Sequence, residues 1–251
     1  TVRQRKLDWV KPDVSLFANK TFKGFHRSNG KVGTANYWLV IPLVFCENRN
    51  ILTLKDALED KLGYNIQSKD YSQEVDLLLA KYKAGASVNE LMQMDLNAST
   101  ALPKKERVFE NVDGIKFLNH ELGCGGIRMD SDALCGLLAG YITHPNVAGA
   151  TVISLGCQHA QASILREEIR KRDAEFDKPL YILEHQQEGT EAVLMNKALK
   201  MIIAGLSQAN MQTRQDAPLS KLCIGLECGG SDGFSGISAN PAVGYVSDML
   251  V

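Results

Sequence analysis

The stretch Ala150–Arg172, ATVISLGCQHAQASILREEIRKR, holds two periodicities back to back. Residues 150–155 are apolar and β-branched, as in a strand, whereas from Ala160 to Arg172 the apolar residues return at helical spacing. Between them lies a short turn built on Gly156. Strand, glycine turn and helix in that order form half of a βαβ unit, and the rest of the chain repeats the pattern. Asn36–Phe45 (NYWLVIPLVF) reads as a strand and Ile51–Leu62 as the helix after it. Gly114–Asn119 is a short strand followed by a helix over Asp130–Ile142. Leu180–Glu184 is a strand, Glu188–Leu206 a long helix, and Leu222–Leu226 a last strand. Strands separated by helices predict an α/β fold that is Rossmann-like: a mostly parallel sheet with right-handed crossovers and helices on both faces.

Two segments stand outside the alternation. Residues 1–23 are polar, carry the breaker Lys11-Pro12-Asp13, and read as an arm or linker. Tyr64–Asn111 reads as a helical insertion, with helices over Ser68–Ala84 and Val88–Asp95. Residues 24–251 then form one α/β domain. The sequence starts at Thr1 and stops within an apolar run at Val251, so a fragment truncated at its C-terminus is expected.

Composition narrows the partners. Among 251 residues, 28 Lys and Arg face 29 Asp and Glu, a formal net charge of −1 that leaves no basic surplus for a phosphate backbone; nucleic acid is excluded as the main partner. No apolar run is long enough to span a bilayer, and no secretory leader is evident, so a cytoplasmic protein with a small-molecule partner is expected, with homo-oligomers allowed for. Six cysteines are too few for a disulfide scaffold.

Ligands of open α/β sheets sit at the carboxyl ends of the strands. Cys46 follows the first strand, His120 and Cys124 the second, Cys157 and His159 the third, His185 the fourth, and Glu227 with Cys228 the fifth. Any one such cysteine is ordinarily a small buried hydrophobe, but five loops pointing the same way suggest a site. Cys135 and Cys223, inside a helix and a strand, go to packing, and His144 before Pro145 reads as a helix C-cap. Glycine is also in excess at three strand ends: GCGG at Gly123–Gly126, LGC at Leu155–Cys157 and ECGGSDGFSG at Glu227–Gly236. Glycine lets main-chain N–H groups close around an anion. Ser231, Asp232 and Ser235 add hydroxyl and carboxylate groups suited to a polyhydroxylated acid, and the same residues serve equally well as caps for the following helix. Neither GxGxxG nor GxxxxGK[ST] occurs where a nucleotide site requires it, and no GxSxG elbow is present.

Taken in order, HRSNGKVGTAN at His26–Asn36, a strand ending in Cys46, NHELGCGG, LAGYITHPNVAGATVISLGC and GLECGGSDGFSGISANP resemble the altronate dehydratase and galactarate dehydratase family from about Gly24 to Val251, the insertion excepted. Gly233 within SDGFSG resembles the altronate branch. The resemblance implies dehydration of D-altronate to 2-dehydro-3-deoxy-D-gluconate in hexuronate breakdown, with D-galactarate as the alternative substrate and a non-catalytic sugar-acid-binding module as the alternative role. It implies a divalent metal, iron(II) first, with manganese, zinc or an iron–sulfur cluster as alternatives. Removing a proton α to a carboxylate builds a second negative charge, which a Lewis acid neutralises. Carried over residue by residue, the resemblance makes His120 an acid/base or metal ligand, and Cys124, Cys157 and Cys228 thiolate ligands. It places Ser231 and Asp232 in the catalytic C-terminal loop, with Gly229, Gly230 and Ser235 cradling the substrate carboxylate and Arg27 and Asn36 positioning the substrate. Two departures stand out. Gln158 and His159 follow LGC where the family has an acidic and an amide residue, and the family's small N-terminal β-domain and substantial C-terminal portion are not in these residues.

Overall fold

In the computed structural model of the chain, the described residues are 10–64, 71–96, 106–227, 229–230 and 232–251. The chain runs β1 (Thr21–His26), β2 (Val32–Gly33), β3 (Tyr37–Pro42), α1 (Asn48–Leu58), α2 (Ser72–Lys83), α3 (Val88–Met92), β4 (Gly114–Phe117) and α4 (Arg128–Thr143). It continues with β5 (Val147–Ser154), α5 (Ala162–Arg172), β6 (Leu180–Glu184), α6 (His185–Glu188), α7 (Glu191–Asn210), β7 (Gln215–Pro218) and α8 (Ala239–Leu250).

The four-stranded sheet has the order β4-β3-β5-β6, and every pairing in it is parallel. β5 is buried at all eight positions, which is why its sequence is one apolar run: a parallel strand covered on both faces has no wet side to pattern. Alternate residues of β3 feed two separate cores. Trp38 and Val40 pack with Ile51 and Leu54 of α1 and with Leu194 and Ile202 of α7. Leu39 and Ile41 pack with Leu134 and Leu138 of α4 and with Leu165 and Ile169 of α5. The register shifts between Tyr37 and Trp38 so that Ala148 is passed over; Val147 and Ala150, of opposite parity, therefore face the same α4–α5 layer. Trp38 fills its layer between two glycines, since a Cβ at either Gly149 of β5 or Gly205 of α7 would fall on the indole ring.

The expected fifth strand, Leu222–Leu226, does not form: residues 222–227 are irregular. The apolar side chains of Leu222, Ile224 and Leu226 instead line a groove with Val243, Val246 and Leu250 of α8. The strand in this region is β7, slightly earlier, which pairs antiparallel with β1 from Thr21↔Pro218 to Gly24↔Gln215. Together with β2 they make a second, three-stranded sheet that the sequence reading lacked. Its strands are short and mix polar with apolar residues, and the Lys23–Asp216 ion pair at 2.7 Å ties its edge. The insertion is helical as expected, in α2 and α3, and Ser87 and Glu90 form a capping box at the start of α3. Residues 65–70 and 97–105, also within the expected insertion, lie outside the described residues.

Candidate functional site

The helices after adjacent strands β3 and β5 lie on opposite faces of the sheet: α1 joins the α7 layer, whereas α5 joins α4. Neighbouring strands whose connections leave to opposite sides open a crevice at their carboxyl ends, the switch point at which open α/β sheets bind ligands. The turn after β3 carries Cys46 and Glu47, and the turn after β5 carries Gly156 and Cys157.

Main-chain and side-chain bonds tie the turns of this edge into one unit. Leu43 N–H donates to Ile153 O at 2.8 Å, Phe45 N–H to Leu122 O at 2.9 Å, Ala160 N–H to Gly123 O at 3.1 Å, and Gln186 N–H to Leu155 O at 3.1 Å. Gly123 makes this closeness feasible. Its φ of +101° lies in the region that favours glycine, and a Cβ there would stand 2.5 Å from Leu43 O and 2.7 Å from Val44 Cα. The Gly156 turn is pinned from within. Gly156 N–H donates to Gln158 Oε1 at 2.7 Å, and Gln158 Nε2 donates to Ser154 Oγ and to Ala160 O. Gln158, buried, is thus the brace of this turn.

His120 is half-buried beside the end of β3. Its Nε2–H donates to Pro42 O at 2.7 Å, while Nδ1 accepts from Leu122 N–H at 3.1 Å. Both ring nitrogens are engaged by main chain, and the ring stands as the Nε2–H tautomer. Asn48 Nδ2 donates to His120 O at 2.9 Å, and the buried amide oxygen of Asn48 has no partner among the described residues. One residue earlier, Glu47 is 1% exposed, and its carboxylate accepts from His185 Nδ1 at 2.9 Å and from Asn50 Nδ2 at 2.6 Å. Adjacent residues of one turn therefore hold His120 through its carbonyl and His185 through its ring. Sequence reasoning placed His185 on this edge without giving it a role and passed over Glu47. The signal was present: a carboxylate directly after Cys46, in the first strand-to-helix turn.

Cys46, Cys124 and Cys157 are exposed on this edge. Cys135, in α4, is buried as expected, and burial beside Asp132 and Glu168 pushes its thiol up to about 11. Cys223, expected in packing, is exposed because the strand meant to bury it does not form. Among the described residues, no three His, Cys, Asp or Glu side chains gather to hold a metal ion. His120, Cys124 and Cys157 share an edge but do not by themselves form a ligand set.

The other expected residues lie elsewhere. Cys228 and Ser231 are outside the described residues. Gly229, Gly230, Asp232 and Ser235 belong to an exposed or half-buried segment before α8. Asp232 Oδ1 accepts from the N–H groups of Phe234 and Ser235, both at 2.8 Å, and so caps the turn that leads into α8. Arg27 and Asn36 sit at the opposite, amino edge of the sheet. Arg27 donates to Pro145 O at 2.8 Å, Gln212 Oε1 at 2.5 Å and Asn36 Oδ1 at 2.9 Å. Asn36, fully buried, donates in turn to Asn111 O at 3.0 Å and Ala209 O at 3.1 Å. Burial lowers the Arg27 guanidinium to about 10, which leaves it charged at neutral pH. At the same edge, Lys178 Nζ donates to Ile142 O and His144 O, at 3.3 and 2.7 Å. His144 is the C-cap residue of α4, as expected, with its N–H donating to Tyr141 O at 3.1 Å; its ring accepts from Asn146 N–H at 3.1 Å, and Lys178 is the side chain that meets the last carbonyls.

Residues 24–210 match the family model described as D-galactarate dehydratase/altronate hydrolase, second domain, and residues 219–251 match D-galactarate/altronate dehydratase, C-terminal. The chain is 29% identical over 233 residues to an altronate dehydratase of Bacillus subtilis strain 168, covering 93% of this chain and 37% of that protein. It is 32% identical over 234 residues to an altronate dehydratase of Escherichia coli strain K12, again 93% of this chain and 37% of the relative. A galactarate dehydratase (L-threo-forming) of the same bacterium is 35% identical over 112 residues, 43% of this chain and 21% of that protein. The chain thus spans 37% of the length of the two altronate dehydratases.

Proposed function

We propose, from the premise that the chain belongs to the D-galactarate dehydratase/altronate hydrolase family, that it forms the catalytic-edge portion of a longer hydro-lyase that dehydrates D-altronate to 2-dehydro-3-deoxy-D-gluconate. The observation that carries the reading is the convergence at one switch-point edge. There, His120, Cys124, Cys157 and the Glu47–His185 pair stand on turns bonded to one another, in a chain whose relatives are named sugar-acid dehydratases. Altronate is preferred to galactarate because the named altronate dehydratases align over 93% of the chain, the galactarate dehydratase over 43%.

The chemistry asked of such a site is proton removal at C2, next to a carboxylate, and departure of the C3 hydroxyl as water. In this reading, Cys124, Cys157 and His120 flank the crevice, and the segment with Gly229, Gly230, Ser231, Asp232 and Ser235 reaches the substrate carboxylate. A divalent metal, iron(II) first, remains part of the proposal on chemical grounds, since it would neutralise the charge that builds up at C2. Its ligand set would need groups beyond the described residues, Cys228 among them.

The test is the full-length protein, purified anaerobically, reduced and supplied with iron(II), then offered D-altronate and D-galactarate separately. Formation of a 2-keto-3-deoxy acid, read with semicarbazide, supports the reading, and faster turnover of altronate supports the narrower assignment. No product from either acid overturns it. Metal analysis of the same preparation tests the metal independently of turnover.

A further inference from the structure

We infer that His185 is the base that takes the proton next to the substrate carboxylate, and that Glu47 is the residue that positions it. The inference rests on the dehydratase reading above and names the group that moves the proton. Glu47 projects from the turn after β3, one side of the switch-point crevice, and His185 follows directly on β6. A carboxylate 1% exposed has been taken out of water at a cost that only well-made partners offset. Glu47 has two: Asn50 Nδ2 at 2.6 Å on one oxygen and His185 Nδ1 at 2.9 Å on the other. Asn50 fixes the carboxylate, and the carboxylate fixes the ring.

The consequence is a defined tautomer. With Nδ1–H directed at Glu47, the lone pair of His185 is on Nε2, across the ring, and the side chain is 21% exposed, so the ring remains reachable from the edge. This is the arrangement of a carboxylate-oriented histidine base, in which the buried acid also stabilises the imidazolium once the proton arrives. His120 offers a contrast, because both of its nitrogens are bonded to main chain and neither can accept a proton without breaking such a bond. Other charged groups on the elements around His185 already have partners. Glu184 Oε1 accepts from Gln187 at 2.6 Å, Glu188 pairs with Lys197 at 2.6 Å, and Arg49 lies 4.0 Å from Glu191. The buried partner of the imidazole is Glu47.

The step balances without an external oxidant or reductant. The Nε2 lone pair bonds to the C2 proton, and the C2–H electrons become the second bond between C2 and C3. The C3–O bond breaks with its electron pair on oxygen. The imidazolium gives its proton to that oxygen, water leaves, and the enol moves its hydroxyl proton to C3 to become the 2-keto acid.

The test uses the full-length enzyme. H185Q is expected to lower kcat by about 10²- to 10⁴-fold, the usual contribution of a positioned base, with KM within about threefold. E47Q is expected to lower kcat about tenfold or more and to change the His185 tautomer seen in imidazole ¹⁵N spectra, and E47D to recover part of the rate. The tautomer readout holds even if H185Q fails to fold. Active wild type alongside H185Q at more than a tenth of its kcat, or E47Q with rate and tautomer unchanged, overturns the assignment and leaves the dehydratase reading intact. Wild type inactive on both sugar acids overturns the dehydratase reading and this assignment with it.

Discussion

Arg27 NH2 donates to Asn36 Oδ1 at 2.9 Å at the amino end of β3, about 20 Å of strand away from the turn that carries Glu47, at roughly 3.3 Å per residue. Between them these two side chains bind the ends of β1, α4 and α7 to the start of the central strand. Their polar atoms are occupied by the protein itself. Arg27→Met should leave the buried Asn36 Oδ1 and the part-buried Pro145 O and Gln212 Oε1 without this donor, and lower unfolding free energy by about 1–3 kcal/mol in urea titration. In the full-length enzyme, KM for altronate should change less than about threefold, whereas a residue gripping substrate would raise KM and leave the urea midpoint in place.

Gly205 lies inside α7, where alanine would ordinarily add up to about 1 kcal/mol of helix stability. Here the added methyl group falls on the Trp38 ring, which is fully buried. Gly205→Ala should therefore destabilise, by about 1–3 kcal/mol as in other overpacked cores, and a thermal melt gives the sign directly. A rise in melting temperature would show that the indole has room to move.

The GCGG turn offers a matched pair. Gly123 and Gly125 both have positive φ, +101° and +81°. At Gly125 an added Cβ meets nothing within 4 Å, and at Gly123 it meets the main chain of Leu43 and Val44. Gly125→Ala should cost only the left-handed strain of about 1–2 kcal/mol. Gly123→Ala should cost more, and should also impair turnover by pushing the second turn off the first. Equal unfolding midpoints for the two variants would contradict this.

Burial lowers the Lys178 ammonium to about 7; Arg27 and Lys31 act in the same direction, and Asp173 and Asp177 oppose them. Between about pH 7 and the ordinary lysine range, the unfolded chain then holds one more proton than the folded chain, so stability rises with pH. The slope for one proton is at most about 1.4 kcal/mol per pH unit. His144, lowered by burial and by Lys178 and Lys31, adds a change of the same sign around and below its ordinary 6.5. Urea midpoints should climb from pH 7 to 9, and Lys178→Met should flatten the climb.

Thiol access provides a check that needs no substrate. Cys46, Cys124, Cys157 and Cys223 should react with iodoacetamide in the native protein, and Cys135, buried with its thiol pushed up to about 11, only after unfolding. Peptide mapping after a timed pulse distinguishes them.

The parallel sheet was legible because its two central strands are buried on both faces, and runs as apolar as those of β3 and β5 cannot be read as anything wet. β7 was not legible. Gln215–Pro218 is polar, ends in proline, and becomes a strand only because β1 lies alongside. LCIGL at Leu222–Leu226 failed the opposite way: it has strand composition but joins no sheet edge and lines an open groove with α8. The carboxyl edge itself followed from the alternation of strands and helices, so Cys46, His120, Cys124, Cys157 and His185 were expected there. Glu47 was passed over because only thiols, imidazoles and the motif at Glu227 were followed to the strand ends. Its place directly after Cys46 marked it as a residue of this edge, but its burial depends on a histidine 138 residues later.

The turns of the carboxyl edge are joined largely through their own amide and carbonyl groups, at Phe45 and Leu122, Gly123 and Ala160, Leu155 and Gln186. Apart from Gly123, where only glycine fits, such ties depend little on which side chain stands at the position. Exposed side chains displayed above them, such as those of Cys46, Cys124 and Cys157, can therefore change while the platform keeps its form. Relatives only about 30% identical to this chain need not share its exposed side chains for such ties to form.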